Sequence, residues 1–187
     1  MRNIIVFNMI TADGYFEGPK HELDWHIVDA EFNDFATRQL DEADTLLFGR
    51  RTFELMAGYW PTESARKDDP VVAEKMNKLE KLVFSHTLKS VDWQNSTIIT
   101  EDSIGQLRDY RERPGKALLL FGSSNLCVGL LKAGLIDEIR LMVNPIILGK
   151  GNPLFGGLAK PLRLGLIRTR TFRSGNVLLC YRPYNLS

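Results

Sequence analysis

Two copies of the tetrapeptide Leu-Leu-Phe-Gly, at 46–49 and 119–122, are each followed by hydroxyl or basic residues that open a helix-like stretch. Each copy reads as a buried strand, a glycine bend, and then backbone N–H groups left bare at a helix start. That end of a helix carries unpaired donors and a positive partial charge, so it favours phosphate. Two such ends at neighbouring strand tips suit the pyrophosphate of one dinucleotide. Gly49 is followed by Arg50, Arg51 and Thr52, which add cations and a hydroxyl suited to phosphate. Gly122 is followed by Ser123, Ser124, Asn125 and Leu126. A third strand tip, at Ser85, His86 and Thr87, adds more polar groups at the same expected edge. Either glycine alone need only relieve crowding where a strand becomes a helix. Three polar tips at the carboxyl edge of one sheet favour a ligand instead. No G-x-G-x-x-G stands between a strand and a helix, and no G-x-x-x-x-G-K-[ST] occurs. A Rossmann fingerprint or a nucleoside-triphosphate P-loop therefore does not account for the pattern.

The substrate side offers fewer signals. Asp13, in Ala12-Asp13-Gly14, is a carboxylate placed to hydrogen-bond a heterocycle or relay a proton, or else simple turn chemistry. Trp25 and Trp60 lie in loop-like segments and could stack on a ring, whereas Phe32 and Phe53 read as core. His21 and His26, with Glu22, Asp24 and Asp29, match no zinc spacing and read as a solvated loop, so no metal is expected. No G-x-S-x-G nucleophile motif is present.

These groups must be positioned by the elements around them. Residues 3–10 form an apolar, β-branched strand that stops at Thr11-Ala12-Asp13-Gly14 and opens a loop to about Asp24. From Asp29, apolar residues recur at helical spacing to Ala43. Strand 44–48, helix 50–57, a loop from Gly58 to Pro70 and a helix from Val71 to Leu79 follow. Strands at 81–85, 97–100 and 117–121 alternate with helices at 102–112 and from Ser123 to a stop at Gly134. Ile139 to Leu148 is a long apolar strand with Pro145 inside it, which suggests an edge or a bulge. The segments 163–172 and 176–182 read as a hairpin across Ser174-Gly175-Asn176. The expected class is α/β, with a mainly parallel central sheet, helices on both faces and antiparallel C-terminal edge strands.

Bulk properties narrow the classes. The 187 residues suit one domain, 1–187. The formal net charge is +1 and no basic arm is present, which argues against a nucleic-acid partner. No apolar run reaches the roughly 20 residues that span a bilayer. The opening strand lacks a signal-peptide pattern, and the two cysteines sit in apolar runs, so a cytoplasmic protein with free thiols is expected.

The strings LLFGRRTFELMAGYWP (46–61), KLVFSHTL (81–88) and LLLFGSSNLCVGLLKAGLIDEIRLMVNPIILGKGNPLF (118–155), with NMITADGYFEG (8–18), run in order from end to end. As a set they resemble the dihydrofolate-reductase-like superfamily. More narrowly, the chain is similar to the reductase domain of bacterial riboflavin-biosynthesis deaminase-reductases and their small stand-alone relatives. The resemblance implies NADPH, with NADH possible, and hydride transfer to a small heterocyclic or sugar-linked substrate. It places Gly49, Arg50, Arg51 and Thr52 on one side of the pyrophosphate, and Gly122, Ser123, Ser124, Asn125 and Leu126 on the other. Ser85, His86 and Thr87 would line the adenosine-phosphate pocket. Met9, Thr11 and Phe16 would touch the nicotinamide end. The family often has arginine where this chain has His86, and Arg50 or Arg51 would supply that charge. The zinc deaminase elements H-x-E and P-C-x-x-C are absent. The resemblance also implies a homodimer, for which the apolar run from Leu141 to Leu148 would present an edge needing cover. Two other readings stand beside it: a true dihydrofolate reductase using Asp29 or Asp34, and a non-catalytic dinucleotide-binding protein.

Overall fold

The computed structural model describes residues 1–184; the last three positions of the expected domain lie outside the described residues. Strand β1 (Ile4–Thr11) leads through β2 (Tyr15–Glu17) to helix α1 (Ala30–Asp41). Next come β3 (Ala43–Gly49), α2 (Arg50–Ala57), α3 (Glu63–Asp68), α4 (Pro70–Lys78) and β4 (Glu80–Phe84). They are followed by β5 (Ser96–Ile99), α5 (Ser103–Glu112), β6 (Ala117–Phe121), α6 (Ser124–Lys132) and β7 (Glu138–Asn144). The last elements are β8 (Asn152–Pro153), β9 (Leu164–Thr171) and β10 (Val177–Pro183).

Eight strands form one sheet in the order β5-β4-β3-β6-β1-β7-β10-β9. Pairings from β5 through β7 are parallel, while β10 runs antiparallel to both β7 and β9. The period-2 alternation of β1 explains how one strand serves two cores. Ile5, Phe7 and Met9 face a cluster with Phe35, Phe48, Phe53 and Trp93, while Ile4 and Val6 face a second with Leu107, Cys127 and Leu130. Phe53 is core, and Phe32 packs against the same cluster. The α/β class with antiparallel C-terminal strands is as expected.

Four details differ from the sequence reading. The segment 58–70 contains α3, whose Thr62 hydroxyl accepts from the Ala65 amide at 3.2 Å. Strand β7 stops at Asn144, before Pro145, which has no N–H to give the ladder. Strand β7 is also interior, flanked by β1 and β10, so the Leu141–Leu148 run is not an open edge. The exposed edge strands are β5 and β9. Finally, β2 and β8 pair as a small second sheet that folds the loop after β1 against residues 152–153.

Buried polar side chains are tied to specific partners. Lys81 is fully buried, and its Nζ donates to the carbonyls of Asn77, Leu79 and Gln94 at 3.0, 2.6 and 3.1 Å. It also lies 4.6 Å from the Trp93 ring centroid. Burial pushes its pKa down to about 8, against the pull of three carbonyls on the ammonium form. Arg140 bridges Glu138 and Glu42 at 2.7 and 2.5 Å. Both cysteines are buried and free. Burial raises both thiols, Cys127 to about 12.

Candidate functional site

The parallel strands β3, β4 and β6 end at one rim of the sheet, where a cleft of about 650 Å³ opens. Its lining includes Gly49–Thr52 at the start of α2 and Ser123–Leu126 at the start of α6. Capping separates these two helices from the other four. Asp29, Thr62, Asp69 and Asp102 each accept a backbone N–H from the first turn of α1, α3, α4 and α5. The caps of α2 and α6, Gly49 and Ser123, make no such side-chain bond. The two helices that follow Leu-Leu-Phe-Gly therefore begin with free amide donors, and both open on the same cleft.

The two turns interlock, and glycine is what permits it. A Cβ on Gly49 would run into the Ser123 hydroxyl and lie 2.9 Å from the Ser123 Cβ. A Cβ on Gly122 would lie 2.8 Å from the Thr52 Oγ1, at a φ of +59° that side chains other than glycine rarely adopt. Each glycine thus receives a hydroxyl residue from the opposite turn, and the helix starts stand side by side.

The wall beside α6 comes from the small second sheet. Ser124 Oγ donates to the Leu154 carbonyl at 2.7 Å, which docks residues 152–154 against the start of α6. Asn152 Nδ2 donates to Glu17 Oε1 at 2.7 Å, and His21 Nδ1 lies 2.5 Å from that same oxygen. Phe16, Glu17, His21, Asn152 and Pro153 all line the cleft. Phe84 and Ser103 add to it from the ends of β4 and the start of α5.

The structure brings together most of the residues singled out as cofactor-binding. Phe16, Gly49, Arg50, Arg51, Thr52, Ser85, His86, Ser123, Ser124, Asn125 and Leu126 line one cleft. Gly122 sits directly behind, against Thr52. Thr87 is exposed, and its amide donates to Ser85 Oγ at 3.2 Å, so it shapes the turn. Met9 and Thr11 are buried in β1; Met9 belongs to the core, and Thr11 Oγ1 accepts from the Tyr15 amide at 3.0 Å.

The remaining candidates lie outside this lining. Asp13 accepts from the amides of Gly149 and Leu148 at 2.8 and 3.3 Å, tying two loops together. The Thr11 hydroxyl, and then those amides, hold its carboxyl below the usual carboxylate range. Trp25 donates to the Glu22 carbonyl at 3.2 Å and meets the His26 ring edge-on at 4.4 Å. His26 is not solvated as expected: burial lowers its pKa to about 4, and its Nε2 has no partner. Trp60 packs on the aromatic core, with Nε1 3.1 Å from the Met56 sulfur. Asp29 is spent capping α1 and Asp34 is exposed.

The sequence reading missed Glu17, His21, Phe84, Ser103, Asn152 and Pro153 as parts of the cleft. Phe84 and Ser103 adjoin a strand tip and a helix start, so their positions were within reach of the pattern. Glu17 and Asn152 lie 135 positions apart, and only the β2–β8 pairing unites them.

Comparison with known proteins agrees with this architecture. The family model described as RibD C-terminal domain matches residues 2–178. The chain is 36% identical over 186 residues to the uncharacterized protein YyaP of Bacillus subtilis, covering 96% of this chain and 94% of that one. Among solved structures, a putative riboflavin biosynthesis protein from Shewanella sp. PV-4 superposes with a TM-score of 0.74 at 24% identity, covering 99% and 100% of the two chains. A Thermotoga maritima diaminohydroxyphosphoribosylaminopyrimidine deaminase/5-amino-6-(5-phosphoribosylamino)uracil reductase gives 0.70 at 17% identity, covering 98% of this chain and 57% of that one. The dihydrofolate reductase of Enterococcus faecalis complexed with NADP(H) and RAB-propyl gives 0.66 at 15%, covering 98% and 97%. The fold is dihydrofolate-reductase-like.

Proposed function

The chain belongs to the RibD C-terminal domain family, and from that premise we propose that it is an NADPH-dependent reductase of a small heterocyclic or sugar-linked substrate. The nearest chemical model is the reduction of 5-amino-6-(5-phosphoribosylamino)uracil. The carrying observation is that α2 and α6, the two helices without side-chain caps, open side by side on one cleft beside Arg50 and Arg51. Gly49 and Gly122, each receiving a hydroxyl residue of the opposite turn, let the two helix starts stand close enough to share one diphosphate between their backbone amides.

In this reading the α2 and α6 amides, with the Thr52, Ser123 and Ser124 hydroxyls, hold the diphosphate. Arg50, Arg51 and His86 favour the extra phosphate of NADPH over NADH. Phe16 offers an apolar face toward the nicotinamide end. When bound, the cofactor supplies a hydride. The chain's own work is to fix that group beside the substrate and to keep water out. Hydride transfer requires no nucleophile from the chain. Asp13 and Trp25 lie outside the lining of the cleft, each tied to loop backbone, and shape those loops.

Calorimetric titration of NADPH and NADH, followed by loss of reduced-cofactor fluorescence with pyrimidine and dihydrofolate substrates, tests the proposal. Heat with NADPH and its consumption by a heterocycle are expected. Binding without consumption by any substrate would favour a non-catalytic binder. No heat with any nicotinamide carrier would refute the cofactor reading.

A further inference from the structure

We propose that His21, held by Glu17, is a cofactor-contacting cation of the cleft, taking up a proton as the diphosphate enters. The inference rests on the cofactor reading above and concerns the wall that the small second sheet contributes.

Glu17 is the one carboxylate among the described residues lining the cleft, and its side chain is only 16% exposed. A bare carboxylate there would repel a diphosphate. One of its oxygens is instead shared by His21 Nδ1 at 2.5 Å and Asn152 Nδ2 at 2.7 Å. With Nδ1 turned to Glu17, the other ring nitrogen of this cleft-lining His21 is the one left for a ligand. Protonation turns the pair into a neutral imidazolium–carboxylate, with one N–H kept on Glu17 and a second free for a phosphate oxygen.

The backbone supports a side-chain reason for this histidine. Residues 18–22 form a closed turn: Gly18 N donates to the Glu22 carbonyl, His21 N to the Gly18 carbonyl, both at 2.9 Å. His21 sits in it at φ +69°, where glycine or asparagine is at ease and histidine is uncommon. The turn alone gives no reason for an imidazole; the contact with Glu17 does.

Other charges face the same space. Arg50 and Arg51 on α2 line it, and so does a second imidazole, His86, beyond β4. Lys20 and Glu22 share the turn, and Lys150 precedes β8. The α6 wall brings only Ser123, Ser124 and Asn125 as polar groups. The test must therefore separate the two histidines.

NADPH is titrated calorimetrically into wild type, His21→Asn and His86→Asn, in buffers of differing ionisation enthalpy across about pH 6 to 8. Asparagine keeps the left-handed backbone of the turn while removing the cation. Wild type should take up protons on binding. His21→Asn should take up fewer, and bind about tenfold more weakly near pH 6, with the gap closing toward pH 8. Proton uptake and affinity in His21→Asn equal to wild type would overturn this assignment alone, as would loss of all uptake in His86→Asn. Absence of wild-type binding would overturn it together with the cofactor reading.

Discussion

Gly49→Ala tests the interlock of the two phosphate turns most directly. Gly49 has φ −78° and ψ 160°, an extended backbone that alanine adopts freely, so any penalty must come from contact. The new methyl would overlap the Ser123 hydroxyl, which can rotate away, but would also sit 2.9 Å from the Ser123 Cβ, which cannot. Carbon atoms rest about 3.5–4.0 Å apart, so the turn at 122–124 must retreat by more than half an ångström. Overpacking of this kind costs about 1–3 kcal/mol. For a chain of this size, each kcal/mol lowers the melting temperature by about 2–4 °C. Ser123→Gly removes both obstructing atoms and also relieves a left-handed φ of 55°. The double variant should therefore recover most of what Gly49→Ala loses, with a coupling of at least about 1 kcal/mol. Thermal and urea unfolding of the four proteins measures the cycle, and NADPH affinity should fall in parallel in Gly49→Ala. Additive effects of the two substitutions would refute the interlock.

Lys81 makes stability depend on alkaline pH. Its folded pKa of about 8 lies below its ordinary 10.5, so at this group the unfolded chain binds more protons between those values and the Lys81 contribution to stability should rise with pH across that window, opposed at its upper end by the raised Cys127 and Cys180 thiols. The difference between wild type and Lys81→Met in urea unfolding should show this rise, and Lys81→Met should be destabilised by about 1–3 kcal/mol as the Leu79 and Gln94 carbonyls lose this donor, the Asn77 carbonyl keeping those of Gln94 and Asn95; a difference that does not change with pH counts against it. Asp13→Ala should speed amide exchange at Leu148 and Gly149, whose N–H groups the carboxylate holds. Because that carboxyl is held below its usual range, its tie should be present above that range and fail as pH falls through the folded value. A turnover loss of about 100-fold without faster exchange would make Asp13 a proton-transfer group instead. Light scattering at micromolar concentration should give twice the 21.3 kDa chain mass, and a single-chain mass would refute the homodimer.

The sheet was legible because its strands are short apolar runs punctuated by glycine and proline, and their order of alternation with helices restricts the topology. The phosphate turns were legible for a similar reason: Gly49–Thr52 and Gly122–Leu126 are each contiguous, so local chemistry announces them. Met9 and Thr11 have a nicotinamide role only through the resemblance, and their burial depends on what packs above β1, which no local pattern shows. The α3 helix was hidden in a polar stretch with a single buried residue, Ala65. Strands β2 and β8 are three and two residues long, below the length at which alternation can be read. The Glu17–His21–Asn152 cluster depends on that pairing, so no local pattern marks it.

The burial of Cys127 and Cys180 has a practical consequence. Both thiols are enclosed and biased toward the protonated state, so neither offers a thiolate to maleimides or disulfide reagents in the folded protein. A lone cysteine engineered at exposed Lys20 would then be selectively labelled without stripping the native ones. A fluorophore there would report movements of the neighbouring turn in real time.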